Sequence, residues 1–542
     1  MKPSAPVTRH VLPANESPLS RRSAARASSV QGESDPFVFI RAVEREEPLK
    51  TSPFRGRSAV RNGLVTGVSY LTLSGAGAIA GVYLAHTFGR NSRTDGFMAA
   101  YGVYLVLVLG AQAFRMVVVP DLTRAEEEGR LGAEFAGYAV AFLTLALPVS
   151  ALVAVFPDLF GNVITGRLPH ESAVVAGEAL EWLVPAAFGQ LLASLAASAL
   201  AARNHYLAAA LGFAVGGIVG LVFFIVEADA HGLLALAWGL ALNGVVAAAF
   251  PICALFIHGG RLRHLHGSTL AIRARLWRLT YGAAVPIAGQ GLYVVALLFA
   301  SGTGPGNVTS LSYAYLLAAM FVSATAFSLS LIAAAPLTRR GVDPETAVDH
   351  VVHSAWVSLA LVGAAAGIVA LVGGRVVTAA LGHAYSGQVG DELGRLVVYL
   401  APWMIAWSTF SIAYPLIFVM SRTRLLIPLA IGALVIDLPI SAIGRHWGGL
   451  TGVALALGVT ALLLVLGLMA TLAPSRLGRA VVELGRLALV VGAATALAFG
   501  GAALVLPVIP AAALGLAVYG LLLVAVRELG LAQAWHYVRA LH

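Results

Sequence analysis

The sequence predicts an all-α integral membrane protein of about fourteen transmembrane helices, and two observations lead to this fold class. Hydrophobic residues make up 59% of the 542-residue chain and charged residues only 11%, against about 25% charged residues in ordinary globular proteins. A soluble protein of this length could not bury so much apolar surface in one core. Apolar runs of about 20 residues, the length that crosses a bilayer as a helix, also recur along the chain.

The first 61 residues differ in composition from the rest of the chain. They are rich in Ser, Pro, Arg and Glu, and they carry eleven Lys/Arg against six Asp/Glu. This composition predicts a disordered basic tail that lies in the cytoplasm near anionic lipid. Two uses of the tail stay open: a plain solvated segment, or a segment that recruits a protein partner of the cell envelope.

Fourteen apolar runs follow the tail at steady spacing. Six runs predict an N-lobe at 62–257, a basic loop at 258–278 separates them from a six-span C-lobe at 279–472, and residues 473–542 hold two further spans and a short tail. The predicted spans are 64–87, 97–120, 134–156, 174–201, 207–227, 232–257, 279–302, 310–336, 350–374, 395–420, 425–444, 450–472, 483–505 and 510–527.

The distribution of arginine tests this count. With the N-terminus inside, the loops predicted to be cytoplasmic hold seventeen Arg, and the external loops with their adjoining helix ends hold six. The positive-inside rule expects this asymmetry, and one missed span would exchange the two sides downstream. The sequence therefore predicts an even number of spans with both termini in the cytoplasm of a bacterial plasma membrane.

The two lobes show weak self-similarity at a spacing of about 215 residues. A polar turn at 89–96 precedes a span that ends Pro120-Asp-Leu-Thr-Arg124, and a polar turn at 301–307 precedes a span that ends Pro336-Leu-Thr-Arg339. The repeated segments lie six spans apart, and an even displacement preserves their orientation. The pattern indicates parallel repeats, a plan in which transporters bind substrate between two facing bundles near the midplane.

Four segments of the chain resemble one known family. They are Phe88-Gly-Arg-Asn-Ser-Arg-Thr-Asp-Gly-Phe97, which is similar to that family's FGxxxxTDAF turn, Val119-Pro-Asp-Leu-Thr123, Tyr313-Ala-Tyr-Leu-Leu317 and Gly449-Leu-Thr-Gly-Val-Ala-Leu-Ala-Leu-Gly458. With them, residues 62–530 resemble the lipid II flippase family (MurJ or MviN) of the multidrug/oligosaccharidyl-lipid/polysaccharide exporter superfamily. The resemblance implies two six-helix lobes, two extra C-terminal helices and a role in peptidoglycan biosynthesis or polysaccharide export.

The chain departs from that family at its cavity arginines. The first span, Leu64 to His86, has no arginine, and Leu316 stands where the family has an arginine in span eight. Leu105 to Leu109 lie near the position of the family's double-arginine stretch in span two. The resemblance therefore implies a lipid-linked glycan as cargo without naming lipid II, and Asp95 is the one residue that it carries over directly, with gating at the outer mouth as its implied role.

Charged residues inside spans are the first candidates for a site, because such charges usually face a protein interior or a wet cavity. Arg115 lies deep in span two, where its guanidinium could bind a diphosphate, form a structural ion pair or reach the headgroups. Glu178 and Glu181 share one face of span four and are candidates for pairing with Arg115 or for binding a cation or a coupling proton, with a water-exposed helix start as the alternative.

Other polar residues complete the candidate set. Asp437 lies in span eleven beside Pro439 and is a candidate for gating or coupling, and Asp95 is either a gating residue or a local helix N-cap. Gln190, Asn243 and Gln290 are candidate cavity residues that interhelical hydrogen bonds would equally explain.

Few residues point to metal or enzyme chemistry. The lone Cys253 is expected to be a small buried hydrophobe. His258, His264 and His266 lie among five arginines in the central loop, and their spacing fits a lipid-facing basic loop better than a zinc site. No phosphate-binding glycine loop with lysine, nucleophile elbow or zinc-protease helix occurs in the sequence. No metal, cofactor or nucleic acid is expected, and a proton, Na⁺ or the membrane potential are candidates for coupling.

Three functions follow from these observations. The first is a flippase that moves an undecaprenyl-diphosphate-linked oligosaccharide or peptidoglycan precursor by alternating access, with the lipid-linked sugar and membrane lipids as partners. The second is a drug/cation antiporter of the same superfamily, which would use Glu178, Glu181 and Asp437 as cavity carboxylates. The third is a cell-envelope scaffold that does not transport.

Overall fold

The regular structure is helical throughout the part of the chain that the structure describes. This computed structural model describes residues 53–203, 205–259, 272–322, 343–419, 425–527 and 532, except for some side chains inside helices, among them that of Arg115. Sixteen α-helices occur within these residues: α1 Pro53–Phe88, α2 Ser92–Glu127, α3 Leu131–Val155, α4 Pro157–Thr165, α5 His170–Ala202, α6 Tyr206–His231, α7 Leu234–Gly259, α8 Ile272–Ala300, α9 Asn307–Val322, α10 Pro344–Leu381, α11 Gln388–Tyr399, α12 Ala401–Val419, α13 Leu426–Leu472, α14 Leu477–Thr495, α15 Gly501–Val505 and α16 Val508–Ala525.

These helices confirm the predicted fold class. By length and hydropathy alone, nine helices within the described residues could cross a membrane, or ten when the bent pair α11–α12 counts as one span. Predicted spans eleven and twelve both lie in α13, which consists of two helices joined by a kink at Gly449. The φ of 54° at Gly449 is a backbone conformation that favours glycine. Span thirteen comprises α14, a π-helical turn at 496–500 and α15.

Three local predictions need correction. The chain divides into units 1–61 and 62–542, yet α1 begins at Pro53, so residues 53–61 of the predicted tail are helical, while 1–52 lie outside the described residues. The short helix α4 was not predicted. Cys253 is exposed on α7, since an apolar side chain of a membrane helix can face lipid as well as protein.

The N-lobe is built around α5, which packs against α2, α4 and α7, while α6 packs along α7. Small residues permit these close approaches. A Cβ added at Gly239 of α7 would lie 2.5 Å from the carbonyl oxygen of Gly220 in α6, and one added at Gly189 of α5 would lie 3.1 Å from the backbone of Gly244 in α7. The packing of glycine against backbone is a common way for helices to associate in lipid.

The C-lobe is built around α13, which packs against α8 and α12. The C-terminal helices attach to α10 of this lobe through small residues. A Cβ added at Gly363 would lie 2.6 Å from the Tyr519 hydroxyl of α16, and Gly367 packs on the Phe499 ring of the π-helical turn. The Tyr519 hydroxyl also donates a hydrogen bond of 2.7 Å to the Ala360 carbonyl.

The N-lobe glycine contact predicts a measurable loss of stability. Gly239→Ala should lower the thermal midpoint of the detergent-solubilised protein, because overpacking costs about 1–3 kcal/mol and exceeds the gain of about 0.5–1 kcal/mol from replacing a helical glycine. Gly432→Ala in α13 is the control, since its added Cβ would meet nothing within 4 Å. Equal thermal midpoints for the two variants would contradict this account of the packing.

Candidate functional site

Asp95 connects the two lobes at the N-terminal end of α2. Its carboxylate is fully buried and accepts hydrogen bonds from three donors at the start of α9: the Gly306 amide, the Thr309 amide at 2.8 Å and the Thr309 hydroxyl at 2.6 Å. A carboxylate in the N-lobe thus caps a helix of the C-lobe. Such capping satisfies amides that have no partner within their own helix and places negative charge at the positive end of that helix.

Arg90 binds the same segment of the C-lobe from the other side. Its Nε donates to the Gly306 carbonyl and to the Ser310 hydroxyl, each at 2.9 Å, and its Nη2 donates to the Asn307 side chain. Gly306 has a φ of 81°, and a Cβ at this position would collide with the Arg90 side chain. We call Arg90, Asp95, Gly306 and Thr309 the Asp95 cluster.

The alternative that Asp95 is a local N-cap is wrong. Asn91 fills that role, because its side-chain oxygen accepts a hydrogen bond of 3.0 Å from the Thr94 amide at the start of α2. Asp95 lies in the first turn and is directed at the other lobe. The sequence placed turns 89–96 and 301–307 at equivalent positions of the repeat, and the structure brings these two turns together.

A second contact between the lobes lies at the opposite end of α2. Arg275 of α8 forms two parallel hydrogen bonds with Glu134 of α3, from Nε to Oε1 at 3.1 Å and from Nη2 to Oε2 at 2.7 Å. Arg278 of α8 pairs with Asp121 of α2, and Asp121 also accepts a hydrogen bond of 2.5 Å from the Tyr138 hydroxyl. We call Asp121, Glu134, Tyr138, Arg275 and Arg278 the Arg275 cluster.

Sequence reasoning missed these partners. In the sequence, Arg275 and Arg278 were counted only among the arginines of the predicted cytoplasmic loops. Asp121 was noted only as part of Pro120-Asp-Leu-Thr-Arg124, the repeated end of span two. The spacing of three between the two arginines places them on one face of a helix, which could have marked them as a pair. Nothing in the sequence named Glu134 and Asp121 as their partners.

The charged candidates of the N-lobe are only partly described by the structure. The Arg115 side chain and the loop residues His264 and His266 lie outside the described residues. Glu178 is exposed on α5, and Glu181 is partly exposed and lies near both Glu178 and Asp158. Glu181 therefore lies in an environment of like charge on the N-lobe.

The neutral polar candidates fall into different lobes. Gln190 and Asn243 are buried where α5 crosses α7 in the N-lobe, and the Gln190 Nε2 and Asn243 Oδ1 atoms have no hydrogen-bond partner within the described residues. Gln290 of α8 accepts a hydrogen bond of 2.5 Å from the Tyr315 hydroxyl of α9. Tyr315 also stacks on Tyr293, with ring centroids 3.8 Å apart.

Asp437 is fully buried inside α13 together with Ser441 and Thr460. The Ser441 hydroxyl donates to its Oδ1 at 3.3 Å, and the Thr460 side chain lies beside the carboxylate. The Oδ2 atom has no hydrogen-bond partner within the described residues. A buried carboxylate that is short of donors can take up a cation or a proton.

The C-lobe also contains an apolar cavity of about 470 Å³. It lies between α10, α12, α14 and the π-helical turn, and residues that line it include Leu359, Val362, Gly363, Ile405, Val491 and Phe499. Nearly all of its lining is apolar, so it can hold a hydrocarbon chain and offers little to a sugar or a phosphate.

Comparisons with known proteins give the family. The family model described as Lipid II flippase MurJ matches residues 84–523, which is well over half of the chain. The chain belongs to the MurJ family. MurJ proteins are flippases, so the chain is a multi-pass membrane transporter and not an enzyme. No curated protein sequence matches the chain.

Solved structures of membrane transporters share the fold of this chain. A lipid II flippase MurJ in an inward closed conformation is 16% identical with a TM-score of 0.68, and the match covers 86% of this chain and 99% of that one. An inward-facing multidrug resistance MATE transporter of the MOP superfamily is 14% identical with a TM-score of 0.56, covering 75% and 94%. An outward-facing MATE transporter is also 14% identical, with a TM-score of 0.54, covering 78% and 96%.

The Asp95 cluster predicts that Asp95→Asn separates the lobes at this end. Hydrogen bonds to a charged acceptor are worth about 1.5–3 kcal/mol each, and the substitution weakens those that Asp95 accepts. A buried cysteine beside the cluster should therefore react with maleimide about tenfold faster or more. The reporter is Val308→Cys in a Cys253→Ser background, because Val308 is fully buried beside the cluster.

Asp343→Asn is the matched control for this measurement. Asp343 is also a helix-capping carboxylate and accepts a hydrogen bond of 2.7 Å from the Thr346 amide, but it caps its own helix within one lobe. Unchanged labelling of Val308→Cys in the Asp95→Asn protein would show that the Asp95 contact does not hold the lobes together.

Proposed function

We propose that this protein flips an undecaprenyl-diphosphate-linked oligosaccharide or peptidoglycan precursor across the bacterial plasma membrane by alternating access, with both termini in the cytoplasm. The observation that carries the mechanism is the position of the two contacts between the lobes. Asp95 and Asp121 lie 26 residues apart on α2 (121 − 95), which is about 39 Å along a helix. Because the hydrocarbon core is about 30 Å thick, one cluster lies near each membrane surface.

Alternating access requires that each end can open while the other stays closed. The Asp95 cluster and the Arg275 cluster each consist of a few polar contacts that water can replace when they break. Between them, α2 packs on α8 through glycine: a Cβ at Gly102 would lie 2.7 Å from Leu297 and one at Gly110 would lie 3.2 Å from Ile287. This smooth line of contact supports a rocking motion of one lobe on the other.

The cargo's lipid and its headgroup need different surroundings. Part of the polyprenyl chain would bind in the apolar cavity beside α14, because the lining of this cavity suits hydrocarbon. Arg115 of span two is the proposed ligand for the diphosphate within the membrane, and Gln190, Asn243 and Gln290 supply hydrogen-bonding groups for sugar.

Asp437 is the proposed coupling residue. A carboxylate with hydroxyl neighbours and an unpartnered oxygen suits Na⁺ or a proton, and occupancy of this position would change the net charge inside the C-lobe. Flipping would thereby be coupled to an ion gradient or to the membrane potential.

Flipping is tested in proteoliposomes with a fluorescent polyprenyl-diphosphate sugar and a membrane-impermeant quencher. The wild-type protein should increase the quenched fraction, and Arg115→Ala should lower the initial rate about tenfold or more, as expected for a lost charged hydrogen bond. Arg476→Ala on the predicted cytoplasmic surface is the control for loss of an arginine outside the membrane. Flipping no faster than in protein-free vesicles would exclude the flippase and leave the scaffold hypothesis.

The coupling residue has its own test in the same vesicles. Asp437→Asn should abolish acceleration of flipping by an imposed proton gradient and strongly reduce acceleration by a Na⁺ gradient, because the neutral amide does not take up a proton and attracts a cation far less than a carboxylate does. Asp391→Asn, in the exposed first turn of α11, is the control. A gradient response retained in Asp437→Asn would assign coupling to another group.

A further inference from the structure

Two arginines of α8 face the N-lobe at the end of the helix bundle that the arginine distribution predicts to be cytoplasmic. Arg275 and Arg278 lie three residues apart on one helix face. Only 8% of the Arg275 side chain is exposed, whereas 60% of the Arg278 side chain is exposed. The pair therefore extends from the surface into the contact between the lobes.

Both arginines bind carboxylates from the other lobe. Arg275 presents Nε and Nη2 to the two oxygens of Glu134, which is the side-on fork geometry that guanidinium also uses for phosphate. Arg278 and Tyr138 share Asp121. Each of the two guanidinium groups is therefore paired with one N-lobe carboxylate in the closed arrangement.

The structure around Arg275 is fitted to a guanidinium. A Cβ at Gly137 of α3 would lie 2.5 Å from the guanidinium carbon, so the absence of a side chain at this position allows the guanidinium to lie directly on α3. The Tyr138 ring lies 5.6 Å from the same carbon and contributes a cation–π contact. Both neighbours belong to α3, as Glu134 does, so they surround Arg275 while the lobes are closed.

We propose that Arg275 and Arg278 bind the phosphate groups of the lipid-linked cargo when it reaches the cytoplasmic end of the lobes, and that Glu134 and Asp121 occupy this site as internal ligands while the lobes are closed. This inference rests on the proposed flippase function and names the first site that the cargo's headgroup meets. Cargo phosphate and the two carboxylates compete for the same guanidinium donors.

This competition couples binding to opening. Glu134 and Asp121 belong to α3 and α2, and both arginines belong to α8, so exchanging carboxylate for phosphate removes the ion pairs between the lobes at this end. Cargo binds only the opened form and therefore shifts the population towards it. The same exchange in reverse closes this end after the cargo has moved on.

The experiment measures binding of geranylgeranyl diphosphate to the full-length protein in phosphatidylcholine nanodiscs. Glu134→Gln with Asp121→Asn should tighten binding about tenfold or more, because the internal ligands are weakened while their shape is retained. Arg275→Ala with Arg278→Ala should weaken binding at least about tenfold. Arg275→Lys with Arg278→Lys keeps both positive charges but removes the forked guanidinium donors, so it should bind the diphosphate with an affinity between those of the wild type and the double Ala variant. This variant separates the contribution of charge from that of guanidinium geometry.

Arg479→Ala is the matched control, since Arg479 also pairs with two carboxylates, Asp349 and Glu483, but outside the contact between the lobes. It should leave the affinity for the diphosphate unchanged. A Glu134→Gln, Asp121→Asn protein that binds no more tightly than wild type would make these carboxylates ordinary structural partners and overturn the proposal.

Two further ligands identify the source of the phosphate. Geranylgeraniol should not compete, whereas phosphatidylglycerol that competes as well as geranylgeranyl diphosphate would make the site a headgroup contact with bulk lipid and overturn the cargo assignment. The outcomes for binding and flipping are separate: full diphosphate affinity and flipping in Arg275→Ala, Arg278→Ala would end this inference while the flippase stands. Diphosphate binding as expected, with no flipping by the wild-type protein, would end the proposed function while the site stands.

Discussion

The arrangement of the two lobes depends on a buried carboxylate in one lobe that caps a helix in the other. Asp95 has no exposed surface, and a buried charge without partners would cost several kcal/mol. Its donors are the Gly306 amide, directly before α9, and the amide and hydroxyl of Thr309 in the first turn of α9, so the carboxylate is stable in this position only while the lobes touch. When the lobes part, water must reach Asp95, and the N-terminus of α9 loses its cap in the same step.

Helix α2 relates this contact to the other end of the bundle. It carries Asp95 near its start and Asp121 near its end, and both bind the C-lobe. A rocking of α2 against the C-lobe that separates one of these contacts can leave the other closed, because the two contacts lie at opposite ends of the same helix. Glycines at 102 and 110 lie against Leu297 and Ile287 along the line of contact, where they present no side chain to obstruct this motion.

Within the residues that the structure describes, hydrophobic patterning was sufficient to predict the long helices, because an apolar run that spans the bilayer has to form one. It was not sufficient for every helix boundary: α1 begins at Pro53 within a polar segment, and the short helix α4 lies between two predicted spans. The role of Asp95 across the lobes could be anticipated only through the family resemblance, since local spacing equally allowed an N-cap, which Asn91 provides. The pairs Glu134–Arg275 and Asp121–Arg278 join residues more than 140 positions apart, and no periodicity in one sequence encodes such partners.

The position of the arginines follows from what a charge costs at different depths. A guanidinium at the bilayer centre costs about 2.5–3.5 kcal/mol on insertion scales, and far less near a surface. This chain has Leu316 where the family resemblance places an arginine in span eight, and the neighbouring Tyr315 is engaged by Tyr293 and Gln290. Arg275 and Arg278 lie instead near the end of α8, where Glu134 and Asp121 neutralise them while the lobes are closed. In the proposed mechanism, strong phosphate binding at the surface thus costs little in the empty protein, and the weaker cationic field within the membrane leaves the diphosphate less tightly held on its way across.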